Sequence, residues 1–350
     1  MLNIRESVGR LTAMAALSAW LPTAALAQQK ILLWPNGAPL ANGMPSTGAD
    51  SVDKPSITVY PASKPNGAAV LVFPGGAYVG LAFDKEGTLV AQWLQGQGIS
   101  GFAVQYRYSP YHHPIEMWDA QRAIRWVRAN AAKYGIDTAR IGVCGFSAGG
   151  HLASTVSTHY DNGNPAASDS IDRHPCRPAF SILGYPVITM QSAFTHGQSR
   201  DALLGTNPAP SQALLDSLSN EMQVNAKTPP AFLFHATDDG LVSIQNPQSY
   251  FDSCVKKGVT ASFIKFDHGG HGFGMADGKA QAPSDAVLHA WCDSSLKWLN
   301  KMGFLTPKAT SLASPKARPG PMHPDPDTRE RGWLFESREG EASDALGRRP

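Results

Sequence analysis

The sequence lacks a strong surplus of charge of either sign. Its 350 residues include 30 Lys and Arg against 28 Asp and Glu, which leaves a formal net charge of +2. Proteins that bind nucleic acid or an anionic membrane electrostatically carry a marked basic surplus, so neither partner is expected. Internal repeats are also missing, which argues against solenoids and propellers. What remains, 42% hydrophobic and 17% charged residues, is typical of a globular domain.

Cysteine is scarce, with four in the whole chain. None of them has the C-x-x-C spacing of a zinc or redox site. Cys144 lies in an apolar stretch and is predicted to be a buried free thiol. Cys254 and Cys292 fall on two predicted late helices, and a disulfide between them stays open because an exported protein can be oxidised.

Long apolar runs are also missing, apart from residues 11–21 near the start. Arg5 and Arg10 precede this run, and Ala25-Leu26-Ala27 follows it as a small-x-small cleavage site. The run is too short to cross a membrane and is followed at once by Pro22. We therefore expect residues 1–27 to be a signal peptide, with the mature protein periplasmic or secreted and without a membrane anchor.

The other end of the chain changes composition at Pro307. From there to Pro350, Pro, Arg, Glu and Ser alternate without apolar periodicity. Such a segment cannot bury enough apolar surface to offset its ordering entropy, so residues 307–350 are predicted to be a disordered tail. Residues 28–306 then form one large domain.

The most informative stretch is Gly145-x-Ser147-x-Gly149, where an apolar strand runs into a tight turn and then into a small-residue helix. This is the pattern of a nucleophile elbow, in which a serine stands exposed on a strained strand-to-helix turn. Side chains at either glycine would collide with the neighbouring strand or helix. The turn also leaves the backbone N–H of Ala148 free at the start of the helix, where it can face a developing oxyanion.

Apolar strands and amphipathic helices alternate around this turn, which predicts an α/β fold with a mostly parallel sheet and helices on both faces. Residues 188–228 lack a clear strand and are interpreted as a small cap inserted above the sheet. The predicted strands cover residues 56–60, 68–73, 99–106, 141–146, 179–187, 231–236 and 261–266, and the main helices about 83–97, 114–134, 149–158, 247–257 and 285–299.

A glycine loop follows the second of these strands, in Pro74-Gly75-Gly76-Ala77-Tyr78. Glycines directly after a central strand let backbone N–H groups point into the space above the sheet. In hydrolases of this architecture the second oxyanion donor comes from this loop. The loop is therefore a candidate part of an oxyanion hole.

Two aspartates and two histidines compete for the remaining roles. Asp238 and Asp239 both follow the strand 231–236, and the one that is not used is expected to order the turn. His271 lies between glycines after the last strand, which favours it over His268. No carboxylate or cysteine cluster accompanies these histidines at ligand spacing, so neither a metal nor an organic cofactor is expected.

Polar residues around the long second helix are given structural roles. Asp119 and Arg122 are interpreted as a solvated or structural pair, and His112 and His113 as surface groups. The order Ser147, then Asp239, then His271 is that of nucleophile, acid and base in the α/β-hydrolase fold. Each follows a predicted strand at its carboxyl end, where open α/β sheets place their sites.

Several motifs together resemble a family, the bacterial α/β-hydrolase esterases that include acetylxylan esterases and feruloyl esterases and are often called lipase-like. The resemblance covers most of residues 31–299. It is carried by Leu32-Leu33-Trp34-Pro35, Phe73-Pro74-Gly75-Gly76-Ala77-Tyr78, Gly145-Phe146-Ser147-Ala148-Gly149-Gly150-His151, Thr228-Pro229-Pro230-Ala231-Phe232-Leu233, His235-Ala236-Thr237-Asp238-Asp239 and Gly269-Gly270-His271-Gly272-Phe273-Gly274.

The resemblance implies roles for individual residues. Ser147 matches the nucleophile, Asp239 the acid and His271 the base, which favours Asp239 over Asp238. The backbone N–H groups of Gly76, Ala77 and Ala148 match the oxyanion hole, although hormone-sensitive-lipase-type relatives have His-Gly-Gly-Gly where this chain has Pro74-Gly75-Gly76-Ala77. Tyr78 and Tyr185 are the candidate substrate-binding residues.

The implied activity is hydrolysis of carboxylic esters, with acetylated xylan or sugar fragments as the expected substrate. A general short-chain carboxylesterase and a feruloyl esterase are the alternatives. The partner is then a small-molecule or oligosaccharide ester, while the sequence leaves the oligomeric state open. A non-catalytic binding module of the same fold is a further hypothesis, and it would predict a broken set of Ser147, Asp239 and His271.

Overall fold

A computed structural model describes residues 28–43, 52–191 and 193–305. The chain divides into two units, Met1–Lys308 and Ala309–Pro350, and the fold below belongs to the first. The predicted signal peptide and the predicted tail lie outside the described residues. Within those residues, no helix has both the length and the apolar content that crossing a membrane requires.

The core of the fold is an eight-stranded sheet with the order β1-β2-β4-β3-β5-β6-β7-β8. Strands β3 to β8 run parallel to one another. At one edge β2 pairs antiparallel with β4, and β1 pairs antiparallel with β2. The strands are β1 (Gln29–Leu32), β2 (Ser56–Tyr60), β3 (Ala69–Phe73), β4 (Ser100–Gln105), β5 (Ile141–Phe146), β6 (Ser181–Gly184), β7 (Ala231–Ala236) and β8 (Ala261–Phe266).

The central strands are buried along their whole length, as expected for parallel strands that are covered on both faces. Their register brings the two predicted site loops together. Phe73, the last residue of β3, pairs with Gly145 of β5, so the chain leaves both strands at the same edge of the sheet. The α/β-hydrolase fold predicted from the sequence is confirmed, and β1 is a strand that the sequence did not indicate.

In the described ranges, eight α-helices accompany the sheet. Residues of α2, α3 and α7 such as Ala120, Leu152 and Tyr250 are buried against one face, and Leu94 of α1 and Trp291 of α8 against the other. The helices are α1 (Leu89–Gly96), α2 (Ile115–Ala129), α3 (Ser147–Thr158), α4 (Gly197–Leu204), α5 (Gln212–Ser217), α6 (Asn220–Gln223), α7 (Gln245–Lys256) and α8 (Ala286–Lys301).

The predicted helix over residues 83–97 differs in detail. It begins as a six-residue π-helical turn, Phe83–Thr88, and continues as α1. Within the turn Glu86 and Gly87 are buried. Glu86 precedes the buried Val90 and Leu94 at four-residue spacing, so the turn continues the buried face of α1 and places a carboxyl on it.

The insertion between β6 and β7 carries α4, α5 and α6 and, apart from the undescribed residue 192, contains no strand. Asn220 at the start of α6 attaches it to the core helix α3. Its amide donates to the carbonyl of His151 and to the hydroxyls of Ser154 and Thr155, at 2.7 to 3.2 Å. The insertion is thus fixed to the helix that begins at the predicted nucleophile.

Two predictions for polar residues need correction. Asp119 does not pair with Arg122, nor is it solvated; it forms a two-pronged ion pair with Arg107, and both side chains are 0% exposed. Arg122 instead bonds Asp169 and Asp172, so only the structural half of that interpretation holds. His113 is half-buried rather than a surface group. Because this burial desolvates the imidazole, the pKa of His113 falls to about 4.

All four cysteines are buried and free. Cys254 packs in the core on one face of the sheet and Cys292 in the core on the other. The sheet therefore separates the two thiols, and the disulfide that the sequence left open does not form.

Candidate active site

The predicted nucleophile elbow is present where β5 meets α3. Ser147 has φ +52°, a left-handed conformation that is strained for a residue with a side chain. A Cβ at Gly145 would lie 2.1 Å from the carbonyl oxygen of Gly149, and one at Gly149 would lie 2.1 Å from that of Phe73. The flanking glycines are therefore required by close backbone packing, as the sequence argument held.

Three side chains that are far apart in sequence form a continuous hydrogen-bonded series at this turn. The Ser147 hydroxyl is 2.8 Å from His271 Nε2, and His271 Nδ1 is 2.7 Å from Asp239 Oδ2. The other carboxylate oxygen of Asp239 accepts the backbone N–H groups of Leu241 and Val242, both at 2.9 Å. The imidazole is thus held between a hydroxyl and a fixed carboxylate.

The Asp239 carboxylate is kept ionised by its surroundings. Burial raises its pKa, but hydrogen bonds from His271, Val242 and Leu241 outweigh that effect and leave the pKa below its ordinary value. His235 Nε2 lies 3.3 Å from Asp239 Oδ2. Burial lowers the pKa of His235, so it flanks Asp239 as a neutral ring whose Nε2–H also points to the carbonyl of Val242.

The competing aspartate and histidine have other functions. Asp238 accepts the backbone N–H groups of Gly269 and Gly270 at 3.2 and 2.8 Å, so it orders the loop that carries His271. His268 is exposed and bonds Asp285 at 2.7 Å. Neither residue contacts Ser147, whereas Asp239 and His271 reach it in series.

The glycine loop lies beside the serine. Gly76 has φ +137°, and a Cβ there would lie 2.1 Å from the carbonyl oxygen of Gly80. Gly76 and Ala77 line the same cavity as Ser147. Among the described residues, no protein acceptor takes the backbone N–H of Gly76, Ala77 or Ala148. Gly76 and Ala77 can therefore meet a ligand in the cavity where the sequence predicted an oxyanion hole, whereas Ala148 is 0% exposed beside Ser147.

The two tyrosines predicted to bind substrate are both 0% exposed, and that prediction is corrected. The Tyr78 hydroxyl bonds His151 Nδ1 at 2.9 Å, behind the glycine loop. The Tyr185 hydroxyl donates to Glu86 and accepts from the N–H of Gly274. Each side chain turns inward because its hydroxyl finds a buried polar partner, so both support the site from beneath.

The cavity above Ser147 has a volume of ≈ 420 Å³. A second cavity of ≈ 640 Å³ lies between the insertion and His112, and none of Ser147, His271 and Asp239 lines it. The lining of the first consists of Gly76, Ala77, Val79, Ala82, Lys85, Glu86, Ser147, His196, Gln198, Leu241, His271 and Gly272.

Several lining residues were missed by the sequence analysis. His196 and Gln198 come from the start of α4 in the insertion, and their position in a predicted cap was the one available signal. Burial lowers the pKa of His196, and the nearby charge of His271 lowers it further, so His196 faces the cavity as a neutral ring. Within the described ranges, no group of three or more His, Cys, Asp or Glu is placed to hold a metal ion.

The fold and this geometry define the class: an α/β-hydrolase with serine, histidine and aspartate in hydrogen-bonded series. A family profile then gives the particular assignment. The BD-FAE profile matches residues 57–252, more than half of the chain. The chain belongs to the BD-FAE family, which agrees with the resemblance found from its motifs.

Named relatives share this region. An acetylxylan esterase of Xylanibacter ruminicola is 34% identical over 224 residues, which are 63% of this chain and 44% of that protein. Endo-1,4-beta-xylanase B of Butyrivibrio fibrisolvens is 34% identical over 217 residues, 59% of this chain and 33% of that protein. The chain thus spans less than half the length of either relative.

Among solved structures, an acetyl ester-xyloside bifunctional hydrolase from Caldicellulosiruptor lactoaceticus is 40% identical, with a TM-score of 0.70. The match covers 79% of this chain and 97% of that one. The carboxylesterase Cest-2923 from Lactobacillus plantarum, at 20% identity and a TM-score of 0.61, supports the fold.

Proposed function

We propose that the protein is a serine hydrolase of carboxylic esters. The observation that carries the proposal is the unbroken series from the Ser147 hydroxyl through His271 to Asp239. In this mechanism His271 takes the proton of Ser147 as the oxygen attacks the ester carbonyl, and Asp239 holds the imidazole in the required tautomer. The names of the relatives, several of them esterases, support the same reaction.

The negative oxygen formed by that attack needs hydrogen-bond donors. The free N–H groups of Gly76, Ala77 and Ala148 are the proposed oxyanion hole. Each such donor stabilises the transition state by about 3 kcal/mol. The alcohol leaves with the proton carried by His271. A water molecule activated by the same imidazole then hydrolyses the acyl-enzyme.

We propose acetylated xylan or xylo-oligosaccharides as the substrate. The support is the names of the relatives and the polar side chains of His196 and Gln198, which the insertion brings to the cavity beside Ser147. Their ring nitrogen and amide suit the hydroxyls of a sugar. A second candidate, a short-chain carboxylesterase, is favoured by Val79 and Leu241, apolar side chains 49% and 65% exposed at the cavity.

The reaction is tested with the Ser147→Ala variant. We expect acetate release from aryl acetate to fall by at least about 10⁴-fold, with the folded state kept. His271→Ala and His268→Ala are a matched pair, because only the first contacts the serine. The first should lose activity similarly, and the second should stay within about twofold of wild type. Activity retained by Ser147→Ala, or no labelling of Ser147 by an organophosphonate, would sink the proposal.

The substrate class is tested with His196→Ala. For a sugar-binding role, kcat/KM on acetylated xylo-oligosaccharide should fall by about tenfold while kcat/KM on 4-nitrophenyl acetate stays nearly unchanged. Equal losses on both substrates, or none, would favour the short-chain carboxylesterase instead.

We also propose that the protein is exported through its predicted signal peptide. The support is the sequence of residues 1–27 alone. Amino-terminal sequencing of protein recovered outside the cytoplasm should begin at Gln28, and a chain that still begins at Met1 there would contradict export by cleavage.

A further inference from the structure

One buried carboxyl lies directly beneath the site and has no part in the reaction as proposed. Glu86 sits in the π-helical turn, is 3% exposed and lines the cavity of Ser147. A carboxyl at such depth is costly unless its oxygens are hydrogen-bonded. Burial raises its pKa, and hydrogen bonds from Tyr185 and Gly75 act against that rise.

The two oxygens of Glu86 bond two different loops. Oε2 accepts the backbone N–H of Gly75 at 2.8 Å, and Oε1 accepts the hydroxyl proton of Tyr185 at 2.8 Å. The Tyr185 oxygen in turn accepts the backbone N–H of Gly274 at 2.9 Å. One chain of hydrogen bonds therefore runs from Gly75 through Glu86 and Tyr185 to Gly274.

Both ends of this chain lie next to reacting groups. Gly75 directly precedes Gly76 and Ala77, and Gly274 lies three residues after His271. The Tyr185 ring also packs edge-to-face on the imidazole of His271, with centroids 5.1 Å apart.

Space around Gly75 is tight. A Cβ there would lie 2.7 Å from Glu86 Oε2 and 2.8 Å from the Cβ of Ser147. Gly75 is thus packed directly between the Glu86 carboxyl and the Ser147 side chain. Movement of the carboxyl must therefore displace the loop that bears the oxyanion donors.

We propose that Glu86 is a positioning residue that, through Tyr185, couples the oxyanion loop to the histidine loop. The inference rests on the proposed ester hydrolysis, because it concerns the geometry of that reaction. Donors and base must be held within a fraction of an ångström, and small misplacements lower the rate of the chemical step far more than substrate binding.

The test uses Glu86→Gln, Tyr185→Phe and the double variant. An amide oxygen at position 86 can accept only one of the two donors, whereas Tyr185→Phe keeps the Gly75 bond and loses the link to Gly274. We expect kcat on aryl acetate to fall about tenfold for Tyr185→Phe and about 50-fold for Glu86→Gln, with KM nearly unchanged. The double variant should be no worse than about threefold below Glu86→Gln, because both act in one chain.

Tyr250→Phe is the matched control, because its buried hydroxyl has no hydrogen-bond partner in the described part of the protein. Its kcat should equal that of wild type. Each rate is divided by the amount of Ser147 that an organophosphonate labels at the endpoint, so unfolded protein does not lower the measured kcat.

A kcat within twofold of wild type in both single variants, with a lowered melting temperature alone, would show a merely structural role. Multiplicative losses in the double variant would disprove the coupling. Either result leaves phosphonate labelling of wild-type Ser147 intact, so failure of this inference is distinct from failure of the proposed function.

Discussion

Two buried glutamates on either side of the glycine loop have opposite surroundings. Glu86, on the cavity side, accepts a hydrogen bond at each oxygen. Glu116 lies behind the loop, near the Tyr78 side chain, and is 0% exposed. In the part of the chain that the structure describes, neither of its oxygens has a hydrogen-bond partner. The same residue type is thus held in place in one region and isolated in the other.

The pKa values of the two carboxyls express this difference. Burial raises both, but hydrogen bonds oppose the rise at Glu86. At Glu116 burial raises the pKa to about 8, the nearby Asp119 carboxylate adds to the rise, and Arg107 only partly offsets it. Glu116 is therefore mainly protonated at neutral pH. Burial without partners therefore favours the neutral carboxyl, whereas a hydrogen bond at each oxygen holds a buried carboxyl in place.

The largest expected effect is the pH dependence that Glu116 imposes on stability. Its pKa of about 8 in the folded state lies above the ordinary value of 4.5, so folding takes up a proton between these values. Stability from this group is complete below about pH 4.5 and is lost as pH rises through about 8. The conversion of 1.36 kcal/mol per pKa unit limits the loss to about 5 kcal/mol.

Glu116→Gln should remove that dependence. Measured as the difference in free energy of unfolding between variant and wild type, the variant should gain stability steadily from pH 5 to about pH 8 and level off above that. The matched Asp172→Asn variant, at an exposed surface carboxylate, should show no comparable gain. A difference that stays constant with pH would mean that Glu116 ionises freely in the folded protein.

Replacing the partnered glutamate tests the other half of the comparison. Glu86→Leu leaves the Gly75 N–H and the Tyr185 hydroxyl without their acceptors, so we expect a loss of about 3 kcal/mol in the free energy of unfolding by urea. Glu116→Leu leaves no hydrogen-bond donor without an acceptor, so it should raise the free energy of unfolding at pH 9. Changes of the same sign in the two leucine variants at pH 9 would contradict the contrast between the partnered Glu86 and the unpartnered Glu116.

The smallest expected effect concerns Tyr78, the side chain between Glu116 and the glycine loop. His151 Nε2 faces the carbonyl of Leu218 at 2.8 Å, which places the ring proton there and makes Nδ1 an acceptor for the Tyr78 hydroxyl. Tyr78→Phe should therefore cost about 1 kcal/mol of unfolding free energy. Tyr250→Phe, which removes a hydroxyl without a partner, should cost less; equal losses would contradict the account.

Sequence reasoning succeeded where a constraint is local. The two glycines around Ser147 are required by contacts within a few residues, and the order of the three series residues follows from strand order. The choice between Asp238 and Asp239 needed the resemblance, because adjacent carboxylates look alike until the histidine loop is placed. The structure shows the second in contact with His271 and the first ordering that loop.

The misses all depend on distant contacts. Tyr78 and Tyr185 were predicted to bind substrate, but their hydroxyls bond partners that lie 73 and 99 residues away in sequence. Glu86 lies at helical spacing from the buried Val90 and Leu94, but only the structure shows the distant partner, Tyr185, that satisfies a carboxyl on that face. Patterns of hydrophobicity carry no record of such pairings.

The separated thiols have a practical consequence for how the folded protein responds to reductant. Since all four thiols are free, the folded protein holds no disulfide among them for a reductant to break. Its melting temperature should accordingly be indifferent to added reductant.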